Sequence, residues 1–173
     1  MKKLLLLSLA LLLAGACAHA KHPMATATLA PTSGSSAQGN VLFEQFPDGT
    51  VAVSATLTGL APNSVHGFHL HDKGDCGDNG NAAGGHFNPT AAPHGGPDMQ
   101  SHHAGDFGNV TADDKGEVHA QIISHVITVA PGPNSVVGHA VILHANPDDL
   151  TTQPSGNAGP RIACGVVQAK TMQ

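Results

Sequence analysis

Beyond residue 23, apolar and polar positions alternate with a period of two along most of the chain. Met24 to Leu29, Val41 to Gln45 and Thr50 to Leu60 each place β-branched or apolar residues at alternate positions. In the third run Val51, Val53, Ala55 and Leu57 fall on one face, and Ser54, Thr56 and Thr58 on the other. That is the pattern of a strand with one buried and one wet side. Pro47-Asp48-Gly49 separates the second and third runs. It joins a residue of preset φ, an Asx-turn side chain and a residue free to take positive φ, so it predicts a hairpin turn. Val65 to His71 is a fourth strand. Gly116 to Val129 holds one strand or a pair, and Val136 to His144 and Ile162 to Ala169 supply two more. No segment after residue 20 joins a helical period to capping residues. The pattern predicts an all-β fold, an antiparallel sandwich or barrel.

Two stretches interrupt the alternation. Asp72 to about Phe107 is rich in Gly, Pro, Asn and His, and Ala145 to Arg161 contains Pro147, Pro154, Gly156, Gly159 and Pro160. Loops longer than ~15 residues in a compact domain are usually functional or disordered. The His residues and Cys76 in the first loop favour function, because metal or disulfide bonds could organise what apolar burial cannot.

The first twenty residues stand apart. Lys2 and Lys3 precede an apolar run, Leu4 to Leu13, and small residues follow from Ala14 to Ala20. This is the layout of a secretory signal peptide, and the run is too short for a membrane span of ~20 residues. Residues 1–20 are therefore read as the leader and 21–173 as one mature domain, with cleavage after Ala18-His19-Ala20. The alternative is a lipoprotein box ending at Cys17, Leu13-Ala14-Gly15-Ala16-Cys17, with Ala where Leu usually precedes the cleavage site. Either route predicts a periplasmic or secreted domain, tied to a membrane only if Cys17 is lipidated. Cys76 and Cys164 remain in the domain, and an oxidising compartment permits them to bridge.

Composition narrows the chemistry. Thirteen His outnumber seven Lys plus Arg, and imidazole binds metals and titrates near neutrality. A formal charge of −5 with no Trp or Tyr excludes a basic, aromatic nucleic-acid surface. A hydrophobic content of 40% with 11% charged residues excludes a disordered charged tail. His69 and His71, at i and i+2 of a strand, share one face. The first loop adds His86, His94, His102, His103 and Asp106, and His144 ends a later strand. Seven imidazoles and a carboxylate exceed the needs of one metal, so the pattern points to two.

The ordered motifs carry more than spacing does. Gly67-Phe68-His69-Leu70-His71-Asp72-Lys73-Gly74-Asp75-Cys76 resembles the first signature of copper/zinc superoxide dismutases. Gly85-His86-Phe87-Asn88-Pro89, His94-Gly95-Gly96-Pro97, His103-Ala104-Gly105-Asp106, Gly108-Asn109-Val110-Thr111-Ala112-Asp113, Val141-Ile142-Leu143-His144 and Asp148-Asp149-Leu150 follow in that family's order. Gly156-Asn157-Ala158-Gly159-Pro160-Arg161-Ile162-Ala163-Cys164-Gly165 resembles its second signature. The resemblance spans roughly Ala25 to Ala169 and implies an eight-stranded antiparallel Greek-key β-barrel with two long functional loops.

The resemblance also implies roles. Copper would be held by His69, His71, His86 and His144, and zinc by His86, His94, His103 and Asp106, with His86 bridging the two metals. The implied reaction converts superoxide to dioxygen and hydrogen peroxide by alternate reduction and oxidation of copper, His86 moving a proton in step. Arg161 would guide the anion. Asp148 would connect His69 to His94, and Cys76–Cys164 would be the intrasubunit disulfide. A homodimer is implied as the assembly and superoxide as the small-molecule partner. His66 is expected to be a hydrogen-bonded structural residue, and His22, His102, His119, His125 and His139 are assigned no chemistry. Two departures from the family stand out. The loop from Ala145 to Pro160 is short and lacks the usual Glu and Lys, which leaves steering to Arg161 and Lys73. An insertion, Gly77 to Ala83, bears on the subunit interface. The rival reading is a non-enzymatic metal store, which has no need of Arg161; a copper chaperone would carry a Cys-x-x-Cys domain that is absent here.

Overall fold

The structure, a computed structural model, describes residues 22–32 and 34–171; the leader-like segment 1–20, with Cys17, lies outside the described residues. Nine strands follow in chain order: β1 Met24–Pro31, β2 Gln38–Gln45, β3 Val51–Thr58, β4 Val65–His71, β5 Asp106–Thr111, β6 Val118–Ser124, β7 Ala140–His144, β8 Arg161–Val166 and the two-residue β9 Gln168–Ala169. Eight form one antiparallel path, β5-β4-β7-β8-β1-β2-β3-β6, and β9 pairs with β1. β1, β2 and β3 make a meander. The chain then crosses to β4, returns through β5 to β6 beside β3, and crosses again to β7. This is the Greek-key barrel that the motifs imply, nearly closed, with β5 and β6 at its two ends.

The predicted turn forms as its residues dictate. The Asp48 carboxylate accepts from Thr50 N and Thr50 Oγ1, at 2.9 and 2.7 Å, and Gly49 takes φ +90°. β2 and β3 then pair in register from Gln38↔Thr58 to Gln45↔Val51. Alternate residues of β1, β2, β3 and β6 fill the barrel, with Leu29, Val41, Phe43, Val51 and Leu57 all but inaccessible. Phe107 packs between Phe43 and Phe68, with ring centroids at 6.3 and 5.7 Å. Each such side chain contributes about 1.5–3 kcal/mol when fully buried.

Strand boundaries differ from the sequence pattern in several places, and β7 begins at Ala140 where the pattern begins at Val136. β5 falls where the long loop was expected to end, because Asp106 is drawn into the site and Gly108, at φ +74°, interrupts the alternation. The Gly116–Val129 segment contains one strand, β6, followed by irregular chain. The expected last strand divides into β8 and β9 at Val167, whose N–H turns aside to His139 O at 2.8 Å.

The long loop is held by backbone to the strand that carries the first two His. Phe87 N donates to Leu70 O (2.8 Å), Leu70 N to Gly105 O and Gly105 N to Phe87 O, both at 2.9 Å. A Cβ at Gly105 would overlap Leu70 O, so this position requires glycine. The residues Asp78–Ala83 form a short 3-10 segment, and Cys76 is disulfide-bonded to Cys164 of β8. Ala83, Ala140, Ile142 and Cys164 pack together beneath this loop as a second, smaller apolar cluster outside the barrel.

Candidate metal centre

Pairing and pleat place the site. β4 and β7 are joined by Phe68↔Leu143, His69↔Ile142, Leu70↔Val141 and His71↔Ala140, and β7 meets β8 at His144↔Arg161. Phe68, Leu70, Val141 and Leu143 point into the barrel. His69, His71, His144 and Arg161 therefore share its outer face, since period two sends neighbours to opposite sides. An isolated bridge, His71↔His86, brings the first loop His alongside them.

Two groups of donors result: His69, His71, His86 and His144, and His86, His94, His103 and Asp106. Within each, one ligand atom from every residue lies within 4.8 Å of the others, and all seven residues are buried. His86 belongs to both. These sets coincide with the copper and zinc sets expected from the motifs.

The hydrogen bonds determine which ring nitrogen each residue can offer. His69 Nε2 is bound to Asp148 Oδ2 at 2.7 Å, His71 Nδ1 to Gly84 O at 2.9 Å, His144 Nδ1 to Gly159 O at 3.0 Å and His94 Nε2 to Asp148 Oδ1 at 3.0 Å. Each leaves its other nitrogen for the cluster. His69 Nδ1, His86 Nε2 and His94 Nδ1 are buried with no hydrogen-bond partner, an arrangement that costs about 1–3 kcal/mol per group unless something binds there. The spacing fits metal ligation. In a tetrahedron of bonds near 2.0–2.1 Å, ligand atoms stand about 3.3 Å apart. His71 Nε2 and His144 Nε2 are 3.3 Å apart, and His103 Nδ1 and His86 Nδ1 3.4 Å. Asp106 Oδ1 lies 3.1 and 3.2 Å from the Nδ1 atoms of His94 and His103. The donors present fit a copper ion in the all-nitrogen cluster and a zinc ion in the closed three-nitrogen, one-oxygen cluster.

The electrostatics agree with ligation. Burial, helped by the neighbouring imidazole of His86, pushes His69 and His71 well below the ordinary histidine range, and burial brings His144 down to about 4. These rings are neutral with lone pairs available, as a metal ligand must be. Burial would raise the Asp106 carboxyl. The hydrogen bond with His86 and the Gly95 N–H outweigh it and hold the group ionised.

The first cluster opens to a cleft of ≈ 510 Å³ lined by His71, His86, His144 and Arg161, together with Asn81 and Ser155. Arg161 Nη2 donates to Gly84 O at 2.6 Å and its Nη1 donates to Gly80 O. Gly84 O thus accepts from both Arg161 and His71. Among the described residues, Arg161 is the one cationic side chain other than histidine that lines the cleft; Lys73, expected to share in steering, does not line it.

The expected copper and zinc ligands meet there, and Asp148 joins one ligand of each cluster. A Cβ at Gly156, where φ is +64°, would overlap Asp148 Oδ1 and crowd His94 Nε2, so the carboxylate needs glycine beside it. The remaining described His residues stay out of both donor clusters. His102 Nδ1 bonds to His103 O, His139 Nδ1 to Asp72 O, and His66 is held between Ser64 Oγ and His144 O. Pattern reasoning missed Asn109, whose side-chain amide clamps the Asp148 backbone: Asp148 N donates to Oδ1 at 2.7 Å and Nδ2 donates to Asp148 O at 2.9 Å. Its place in the Gly108-Asn109-Val110 motif was the available signal. The carbonyls of Gly84 and Gly159 have no side-chain signature.

The comparisons with known proteins agree with this geometry. A sequence model of the copper/zinc superoxide dismutase family matches residues 37–167. A solved structure described as that of the clock protein EA4 is 38% identical, with a TM-score of 0.77, over 87% of this chain and 96% of that one. With the family match extending from β2 to the end of β8, and the copper and zinc donor sets intact within it, the chain belongs to the copper/zinc superoxide dismutase family.

Proposed function

We propose that the protein catalyses 2 O₂•⁻ + 2 H⁺ → O₂ + H₂O₂ in the cleft above the first cluster. The observation that carries this reading is one ring, His86, whose Nε2 belongs to the cluster at the cleft and whose Nδ1 faces Asp106 and His103 in the closed cluster. Bound copper would supply one-electron exchange with superoxide, and bound zinc a fixed positive charge beside His86. Arg161 is the anion-binding group. Two carbonyls hold its guanidinium in place, and its remaining N–H donors and permanent charge serve superoxide. His86 Nε2, in the part of the cycle when it is not serving as a ligand, would take up a proton from solvent in the cleft and give it to the departing peroxide, the second proton coming from water. Asp148, gripping His69 and His94, keeps both rings in the tautomer that leaves Nδ1 free.

The test is superoxide removal by protein loaded with copper and zinc. Activity well above that of equimolar free copper, reduced at least tenfold in Arg161→Ala with metal content unchanged, is the expected result. Activity no higher than free copper would leave a metal-storage protein. An extracytosolic location is supported by the leader-like first twenty residues and the Cys76–Cys164 disulfide; the mass of the mature N-terminus should correspond to Lys21, and a lipid on Cys17 would replace that reading with a membrane anchor. A homodimer is the assembly the family resemblance implies, and sedimentation equilibrium reads it directly.

A further inference from the structure

We infer that Gln153 is a positioning residue that couples the closed metal cluster to the wall of the substrate cleft. The inference rests on that cluster being the zinc site. His94 lies in irregular chain, outside every strand. The Gln153 side chain reaches it across 59 positions of sequence and satisfies both polar groups of its backbone. His94 N donates to Gln153 Oε1 and Gln153 Nε2 donates to His94 O, each at 2.8 Å. A primary amide used this way replaces one rung of a β-ladder.

The same short loop grips the His94 ring from its other end. Asp148 Oδ1 binds His94 Nε2, and hydrogen bonds brace the chain between Asp148 and Gln153. Asp149 N donates to Gly156 O at 2.8 Å, Gly156 N to Thr152 O at 2.7 Å, and the Asp149 carboxylate accepts from Thr151 N and Thr152 N. One loop therefore holds one ligand twice, by ring and by backbone. The two residues after Gln153, Pro154 and Ser155, line the cleft that also contains Arg161. A metal that fixes His94 will fix this wall through Gln153. By the reciprocity of linked equilibria, a loop that is already ordered will raise the affinity for the metal.

The experiment uses the purified chain, stripped of metal, as wild type, Gln153→Ala and Gln153→Glu. Hydrogen exchange of residues 149–157 is followed with and without Zn(II), and zinc affinity is read by competition with a chromophoric chelator. In the wild type, zinc should slow exchange in this segment about tenfold. In Gln153→Ala that zinc-dependent slowing should disappear and affinity should fall on the order of tenfold, the lower end of the effect of supporting residues at metal sites. Gln153→Glu, which keeps the acceptor for His94 N and loses the donor to His94 O, should lie between. Gln153 is exposed at a loop tip, and unchanged exchange in β2 and β3 will show that the variants fold. Equal zinc-dependent protection in Gln153→Ala, with affinity within twofold of wild type, would overturn the inference while leaving the metal site intact. A wild type that takes up no zinc would overturn the metal reading and this inference together.

Discussion

The two halves of the barrel use the same pleat to different ends. In β2, β3 and β6 the inner residues are buried or partly buried and many of the outer ones are wet, so one face carries most of the stability and the other carries little. In β4 and β7 nearly every residue is buried, because the two long loops cover the outer face. Inside lie Phe68, Leu70, Val141 and Leu143; outside lie His69, His71, His144 and the small cluster around Ile142 and Cys164. A strand buried on both sides would normally read as a continuous apolar run. Here it alternates apolar residues with imidazoles, and the imidazoles are tolerated because most of their nitrogens have a named acceptor or face a metal cluster. The outer face of this half carries both donor clusters, and the wet half supplies the apolar frame.

Substitutions should separate the halves. The largest effect is expected from His86→Ala, which removes a donor from both clusters. Metal content should fall, and superoxide removal should drop to that of free copper, while the far-ultraviolet circular dichroism of the barrel persists. Loss of circular dichroism would mean that the site, and not the apolar core, holds the frame.

Phe43→Ala, inside the wet half, should cost about 3–5 kcal/mol in denaturant unfolding with the metal-binding stoichiometry unchanged in the fraction that folds. Cys76→Ser with Cys164→Ser, in the chemical half, should cost on the order of 4 kcal/mol, because the crosslink spans 88 positions and long loops lose the most entropy on closure. This pair should also slow superoxide removal, since the loop it frees carries Gly80 and Gly84, the acceptors for Arg161. A double Ser variant with full activity would detach the disulfide from the placement of Arg161.

Acid should attack the chemical half first. His144 is held neutral, with its folded value at about 4 against about 6.5 in the unfolded chain. The unfolded state then binds the proton more readily. The contribution of this ring is intact above pH ~6.5 and is lost progressively as the pH falls towards 4, to a total of about 3 kcal/mol. His69 and His71, depressed in the same direction, add to the loss. Metal-free protein should therefore become less stable between pH 6.5 and 4, as read by urea midpoints, whereas His144→Gln should flatten that dependence. The smallest effect is expected on the wet face. Asn40→Ala, which removes an exposed bond from Thr28 Oγ1, should change stability by no more than ~0.5 kcal/mol.

Legibility in sequence followed the same division. Period-two alternation located β1 to β4 and β6 because each buries apolar side chains at alternate positions. β5 escaped it, since Asp106, Gly108 and Asn109 serve the site and not the core. The ligand sets, Arg161, Asp148 and the Cys76–Cys164 pairing came from the motifs and not from periodicity. The supports of the ligands were hidden. Asn109 clamps a backbone 39 positions away and Gln153 one 59 away, and the carbonyls of Gly80, Gly84 and Gly159 act without side chains. Such contacts exist only once the chain has folded.

The most direct measurement is a copper titration of zinc-loaded protein, with superoxide decay followed at each step. The rate should rise linearly and break at one copper per chain, far above the line for copper in buffer. A rate that tracks free copper, with no break, would contradict the assignment of the His86-centred cleft as a superoxide dismutase site.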